Sequence, residues 1–341
     1  MDLPMNNTRI LYFCGHEQFQ PEVLVKHAAL AEEVGFDGVM VSDHFHPWVD
    51  DVGTAGFAFS TLAAIAHATN RLQLVIGVTA PLFRYHPAVV AQASATIDRL
   101  SGGRFELGIG TGENINEGPL GFNFGDYKER TARINEAVQI IRALLAGQRL
   151  SFSGKYYQTD RARLYSPPLH PIPIWMAAGN RKSAARAARL TDGIITSVRS
   201  PSDTMSKVVT PARESAATAG LPPPPIIFTR WCVFAKNDDD AWTSLLPWRG
   251  LRVPGRLSAT DPLELRKVAD SMPRDDITSL FARTTHPKEI VDLYKPLIVD
   301  LGAHTIVIQV TSVAQEETIR MIGDEVLPKL RTEPGVNTEP S

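Results

Sequence analysis

The sequence predicts an α/β protein of the (β/α)₈ TIM-barrel class. Three observations predict it. Short apolar runs rich in β-branched residues alternate with amphipathic stretches along almost the whole chain. The runs are continuously apolar rather than alternating, as parallel strands covered on both faces are. The alternation repeats about eight times, and eight right-handed strand–helix units close into a barrel. A doubly wound sheet with a second domain is the competing architecture. No linker or break in composition divides the chain, so the barrel is preferred.

The first strand is expected at 9–14 (RILYFC). A helix follows over 21–34, opening at Pro21 and closing at Gly35, the usual asymmetry of helix ends. Strands at 38–42, 72–78 and 104–110 lead into helices over 57–69, 87–100 and 127–146. Residues 148–172 break the rhythm with a hairpin-like stretch (LSFSGKYYQ) and a Pro-rich run, and read as an insertion. Strands at 173–178 and 193–197 are followed by helices over 181–190 and 203–219. Pro222 to Pro225 make a stiff connector into the seventh strand, 226–235. Residues 236–285 are charged and interrupted by Pro247, Pro254, Pro262 and Pro273. They read as a second, irregular insertion, suited to cover an active-site mouth or to form an oligomer contact. A helix over 286–300, a strand at 304–310 and a helix over 315–331 complete the set. One barrel domain is expected over 1–335, with a frayed tail over 336–341.

Composition narrows the function. The 341 residues carry 35 Lys+Arg against 37 Asp+Glu, a formal charge of −2, so there is no cationic excess to neutralise nucleic-acid phosphates. Hydrophobic residues make up 43% of the chain, enough apolar surface to offset chain entropy. No apolar run approaches the roughly 20 residues that cross a bilayer. Two cysteines, Cys14 and Cys232, are too few for a disulfide framework, and both sit in strand-like runs as inert core residues. The N-terminus lacks a basic-then-apolar signal pattern, so a cytoplasmic location is expected.

In a barrel, chemistry gathers at the C-terminal ends of strands. The second strand ends in Ser42-Asp43-His44-Phe45-His46-Pro47-Trp48, the densest polar and aromatic cluster of the chain. His44 is a candidate general base and Trp48 a candidate N–H donor or stacking face. His44 and His46 lie near no further ligand cluster, so no metal is expected. The fourth strand runs into Gly108-Ile109-Gly110-Thr111-Gly112-Glu113-Asn114-Ile115-Asn116, a turn that lets backbone approach a ligand closely. Its spacing is not the dinucleotide fingerprint. The fifth strand ends in Ala177-Ala178-Gly179-Asn180-Arg181-Lys182, either an anion seat at a helix start or an exposed basic turn. Arg84, after the third strand, is either a substrate residue or an ion-pair partner. No nucleophile elbow or Cys-x-x-Cys occurs, so hydrolase and disulfide chemistry have no support.

At these residues the sequence resembles the deazaflavin (coenzyme F420)-dependent glucose-6-phosphate dehydrogenase family, in the luciferase-like superfamily of (β/α)₈ barrels. The matching motifs are Glu17-Gln18-Phe19, Val41-Ser42-Asp43-His44-Phe45 with Trp48, Phe83-Arg84-Tyr85 with Pro87, and Gly110-Thr111-Gly112-Glu113 with Asn116. The resemblance runs from about residue 9 to 331 and is weak over 236–285. It implies that His44 is the base that takes the hydroxyl proton as hydride leaves the alcohol carbon. Trp48, Glu113 and Glu17 would line the reaction centre, with Glu113 serving the proton at the reduced ring. It implies cofactor contacts at Asp43, Gly77, Val78, Thr111, Gly112, Asn116, Ala177, Ala178, Gly179 and Asn180, with a non-proline cis peptide at Gly77-Val78 buttressing the ring. A homodimer is implied as well. FMN on the same barrel, in a monooxygenase, is the alternative cofactor and activity, and a non-catalytic flavin-binding barrel is a third reading. Within the family's sugar-phosphate clamp, Thr196, Arg199 and Arg256 keep a part, while Leu257 stands for a histidine and Leu280 for an arginine. Apolar groups there disfavour a dianion. The expected substrate is therefore a less charged, larger and more apolar alcohol or ketone than glucose 6-phosphate, with 247–252 shaping its pocket.

Overall fold

The computed structural model describes residues 8–332, and the expected tail over 336–341 and the first seven residues lie outside them. Its strands are β1 (Arg9–Cys14), β2 (Gly38–Val41), β3 (Gln73–Thr79), β4 (Phe105–Ile109), β5 (Leu150–Ser153), β6 (Gln158–Ala162), β7 (Ile174–Ala177), β8 (Gly193–Ser197), β9 (Ile226–Phe234), β10 (Ala282–Thr284) and β11 (Thr305–Thr311). Eight of them pair in parallel in the order β9-β11-β1-β2-β3-β4-β7-β8, and β8 pairs back onto β9 to close the barrel. Closure leaves no open edge along the ring.

Each strand divides its side chains between two cores. Leu11, Phe13, Met40, Val75, Ile195, Ile227 and Val307 point into the barrel. Ile10, Tyr12, Val39, Leu74, Ile194, Phe228 and Ile306 point out against the helices. Neither face meets water, so neither can alternate with polar residues, and the strands read as unbroken apolar runs. Fully burying each such side chain is worth roughly 1.5–3 kcal/mol. The N-terminal end of the barrel is plugged by Arg9, whose Nη1 lies 2.6 Å from Glu106 Oε1.

The chain leaves the strand–helix rhythm twice. β5 and β6 form an antiparallel hairpin after the helix Tyr127–Leu145. The stretch 236–285 is more ordered than its composition suggests. It contains the helices Asp238–Leu245, Pro262–Asp270 and Arg274–Thr278 before β10 pairs with the end of β9. Asn237 caps the first helix and Asp261 the second, and acidic first turns suit their N-terminal dipoles. Few apolar residues, such as Ala241, Leu245, Leu265 and Ala269, mark their inner faces, so the helical period is faint in the sequence. No helix of the described residues is long and apolar enough to cross a membrane.

Candidate active site

A cavity of about 1190 Å³ opens at the C-terminal ends of the barrel strands. β1, β2, β3, β4, β7 and β8, with the segment after the turn Leu246–Trp248, supply its walls.

The β2 end forms the first wall. His44 Nδ1 lies 3.1 Å from the carbonyl oxygen of His46, and a carbonyl can only accept, so Nδ1 carries the proton. That leaves Nε2 as the proton-accepting nitrogen, 3.5 Å from Glu17 Oε1. Glu17 is buried, and its Oε2 accepts from Ser42 Oγ at 2.6 Å. Ser42 Oγ accepts in turn from the His16 N–H at 2.9 Å. The Trp48 ring meets His44 edge-on, with centroids 4.7 Å apart. Trp48 is buried and lines the cavity, yet its indole N–H has no acceptor. His46 turns away from His44, stacks on Phe45 and contacts the Thr260 carbonyl through Nδ1 at 3.1 Å.

Asp43, Arg84 and Glu117 form a buried ionic layer beneath this wall. Asp43 accepts from Thr79 Oγ1 at 2.6 Å and from the Tyr85 hydroxyl at 3.3 Å, and pairs with Arg84 at 2.8 Å. Arg84 is thus an ion-pair residue that braces the β2 end. Burial pushes the Glu117 carboxyl up to about 6; the Arg84 N–H and charge oppose this, and Asp43 adds to it. Asn116 Oδ1 accepts from the Phe45 N–H at 2.9 Å, so Asn116 holds the β2 loop as well as lining the cavity.

β3 and β4 form the floor. The Gly77-Val78 peptide is cis, and the pairing of β3 with β4 shifts register between Ile76 and Thr79. A Cβ on Gly108 would sit 3.1 Å from Val78 Cγ1, and one on Gly110 would sit 2.8 Å from Val78 Cγ2. These two glycines therefore make room for the bulged valine, a role the turn-like spacing does not reveal. Thr111, Gly112 and Glu113 follow on the rim. Glu113 is not free: its carboxylate pairs with Arg256 at 2.6 Å, and Arg256 lies over the Trp48 ring with its guanidinium carbon 5.3 Å from the centroid.

Ala177, Ala178, Gly179 and Asn180 line the cavity where β7 turns into the helix Arg181–Leu190. A Cβ on Gly179 would meet nothing within 4 Å, so the small residues leave a real cradle. The helix start is closed by its own caps. Asn180 accepts from the Lys182 and Ser183 N–H groups, and Ser183 Oγ accepts from Gly179 and Asn180. Arg181 reaches the Ser206 carbonyl, and neither Arg181 nor Lys182 lines the cavity, so the basic pair is an exposed first turn.

Thr196, Arg199, Arg256 and Leu257 all border the cavity; Leu280 does not. Leu280 packs instead against the inner core beside Phe281, because the short turn before β10 directs it away from the opening. Sequence reasoning missed Trp231, Thr229 and Gln309, which also line the cavity. Gln309 is buried and its Oε1 is unpartnered. A lone amide inside the run IVIQV was the available signal.

A closed parallel barrel with a histidine, two carboxylates and an unpartnered indole N–H around one large cavity defines a (β/α)₈-barrel enzyme. Residues 8–305 match the luciferase-like monooxygenase family, and the chain belongs to that family. It is similar to an F420-dependent glucose-6-phosphate dehydrogenase of Nakamurella multipartita, with 35% identity over 332 residues, 95% of this chain and 96% of that one. It is also similar to an F420-dependent hydroxymycolic acid dehydrogenase of Mycobacterium tuberculosis, with 37% identity over 321 residues, 93% of this chain and 86% of that one. Among solved structures, an F420-dependent secondary alcohol dehydrogenase in complex with an F420–acetone adduct superposes with a TM-score of 0.88 at 28% identity. That match covers 96% of this chain and 100% of that one.

Proposed function

We propose that this chain is a coenzyme F420-dependent oxidoreductase that transfers a hydride between the deazaflavin and an alcohol or ketone. The fixed tautomer of His44, with Nε2 open to the cavity beside Glu17, carries the reading. Relatives named as F420-dependent dehydrogenases over nearly the whole chain support it.

The cavity fits a large planar coenzyme. Gly77, Val78, Asp43, Thr111, Gly112 and Asn116 would hold the ring, and Ala177, Ala178, Gly179 and Asn180 would hold the more distant part in the small-residue cradle. When bound, the coenzyme supplies the carbon that accepts or donates hydride. His44 Nε2 takes the proton of the substrate hydroxyl. Glu17, held by Ser42, stabilises the imidazolium that results. The Trp48 ring, edge-on to His44, holds the imidazole and walls the cavity beside it. Glu113 would face the ring and relay its proton, and the Arg256 guanidinium, 2.6 Å away, fixes the position of that carboxylate. In the reverse direction the same groups act with donor and acceptor exchanged.

Glucose 6-phosphate is not the substrate in this reading. Arg256 is already neutralised by Glu113, and the apolar Leu257 stands on the rim. The chain acts as one barrel unit over 1–335, and works in the cytoplasm as a homodimer. The family resemblance and two unbridged cysteines support these last assignments, and light scattering on purified protein checks the dimer.

The test is a pair of titrations, oxidised F420 and FMN added separately, read by quenching of the cavity tryptophans. F420 binds, and the His44→Ala enzyme binds it equally well. Turnover of a panel of secondary alcohols falls by about 10²–10⁴ in the variant, the contribution of a positioned general base. Binding of FMN alone, or unchanged turnover by His44→Ala, would refute the assignment.

A further inference from the structure

Among the described residues Arg252 has no carboxylate partner. It follows the turn Leu246–Trp248, is half-buried and lines the cavity. Its guanidinium carbon lies 4.3 Å from the Phe281 ring centroid, so the ring covers the fork while the N–H edges remain for a ligand. The neighbouring arginines of the same insertion are paired. Arg249 binds Asp51 and Asp270, Arg256 binds Glu113, and Arg266 binds Asp50. Among the described residues no carboxylate forms an ion pair with Arg252 or with Arg199, which is exposed on the same cavity. Burial, and then Arg199 and Arg256, push the Arg252 guanidinium down to about 10. A cation desolvated beside two others needs an anion from outside the chain.

The surroundings limit that anion. Leu251 and Val253 flank Arg252 in the chain, and Phe281, which covers its guanidinium, packs edge-on against Trp231, so its immediate surroundings are largely apolar. The desolvation penalty rises with the square of the charge, so a dianion is disfavoured there more than a monoanion. A planar fork with one face covered suits a bidentate carboxylate approaching edge-on.

We propose that Arg252, with Arg199 at the rim, binds a carboxylate on the substrate, so that the substrate is a hydroxy or keto acid. An apolar segment lies between the carboxylate and the reacting carbon. This names the substrate class within the hydride-transfer reading and rests on it, and it assigns a specificity role to a residue outside the His44 wall.

The test uses the full chain without coenzyme and three probes that share one tail: hexanoate, hexanol and hexyl phosphate. Binding is followed by quenching of the cavity tryptophans. Hexanoate binds about ten-fold or more tighter than hexanol, the scale of one charge-assisted hydrogen-bonded pair. Arg252→Met abolishes that preference while leaving hexanol affinity unchanged, and Arg252→Lys, which keeps charge without the fork, retains a reduced preference. Thermal unfolding of each variant establishes that it is folded. Equal binding of hexanoate and hexanol by the wild type overturns the proposal, as does a preference surviving in Arg252→Met. Tighter binding of hexyl phosphate than of hexanoate overturns the charge assignment. No coenzyme is present, so these failures are separate from a failure to bind F420, which the titration above reads.

Discussion

Replacing Arg249 by methionine tests how the insertion is held over the barrel mouth. Arg249 is only 3% exposed, and it donates to Asp51 at 2.6 Å, to Asp270 at 3.0 Å and to the Leu246 carbonyl at 2.7 Å. Breaking a buried ion pair costs about 3–5 kcal/mol when the surviving charge stays buried. Here the survivors rehydrate, since the Asp51 and Asp270 side chains are 40% and 45% exposed. The cost therefore falls below that range, to about 2–3 kcal/mol, mostly from the lost carbonyl bond and the packing of the arginine stem. An unfolding entropy near 2.1 cal/mol/K per residue gives about 0.7 kcal/mol/K for a chain of this length, so Tm falls by about 3–4 °C. Differential scanning calorimetry measures this. Asp51→Asn and Asp270→Asn each remove one partly exposed partner and cost about 0.5–1 kcal/mol. An Arg249→Met protein melting within about 1 °C of wild type would show that the anchor contributes nothing. Asn variants as severe as the Arg variant would show that the carboxylates, not the guanidinium, are the buried members.

Two further perturbations probe the ionic layer and the loop contact. The native Glu117 carboxyl titrates at about 6 against 4.5 unfolded, so the folded state holds its proton more tightly. Its contribution to stability is full below about pH 4.5 and is lost as pH rises through 6, a loss on the order of 2 kcal/mol. Glu117→Gln keeps an acceptor for the Arg84 N–H, 3.0 Å away, and removes that fall from a plot of Tm against pH. An unchanged slope would disprove the assignment. In Gly250→Ala the new Cβ would lie 2.2 Å from the Trp48 carbonyl oxygen, so the loops must separate. The expected result is a loss of about 1–3 kcal/mol together with altered tryptophan emission, and unchanged emission would refute the contact.

Much of the architecture was legible because burial on two faces writes itself into the sequence. All eight barrel strands fall where continuous apolar runs place them. The insertion helices were not legible, since Asp238–Leu245 and Pro262–Asp270 bury only a few side chains each. In the site, the strand-end rule found His44, Trp48 and Glu113, and the family resemblance added Thr196; all four line the cavity. Arg252 entered only within the 247–252 segment expected to shape the pocket, and the Glu113–Arg256 pair was not found. That pair joins residues 143 positions apart in the chain across the mouth, and no local pattern encodes it. Leu280 misled for the converse reason: an aligned position is not a shared direction of the side chain.

The anchors of the insertion have a consequence for how such a protein changes. Arg249 and Arg266 grip Asp50, Asp51 and Asp270 on the outer side, while Trp248, Leu251 and Arg252 face the cavity. Attachment and recognition therefore reside on different side chains of one short stretch. Leu251, Arg252 and Leu257 belong to neither anchor, so they can change without loosening the clasp, whereas Arg256 is tied to the wall that bears Glu113 and Trp48. The clasp and the cavity lining of this stretch are thus carried by different side chains, with Arg256 joining the insertion to the barrel wall.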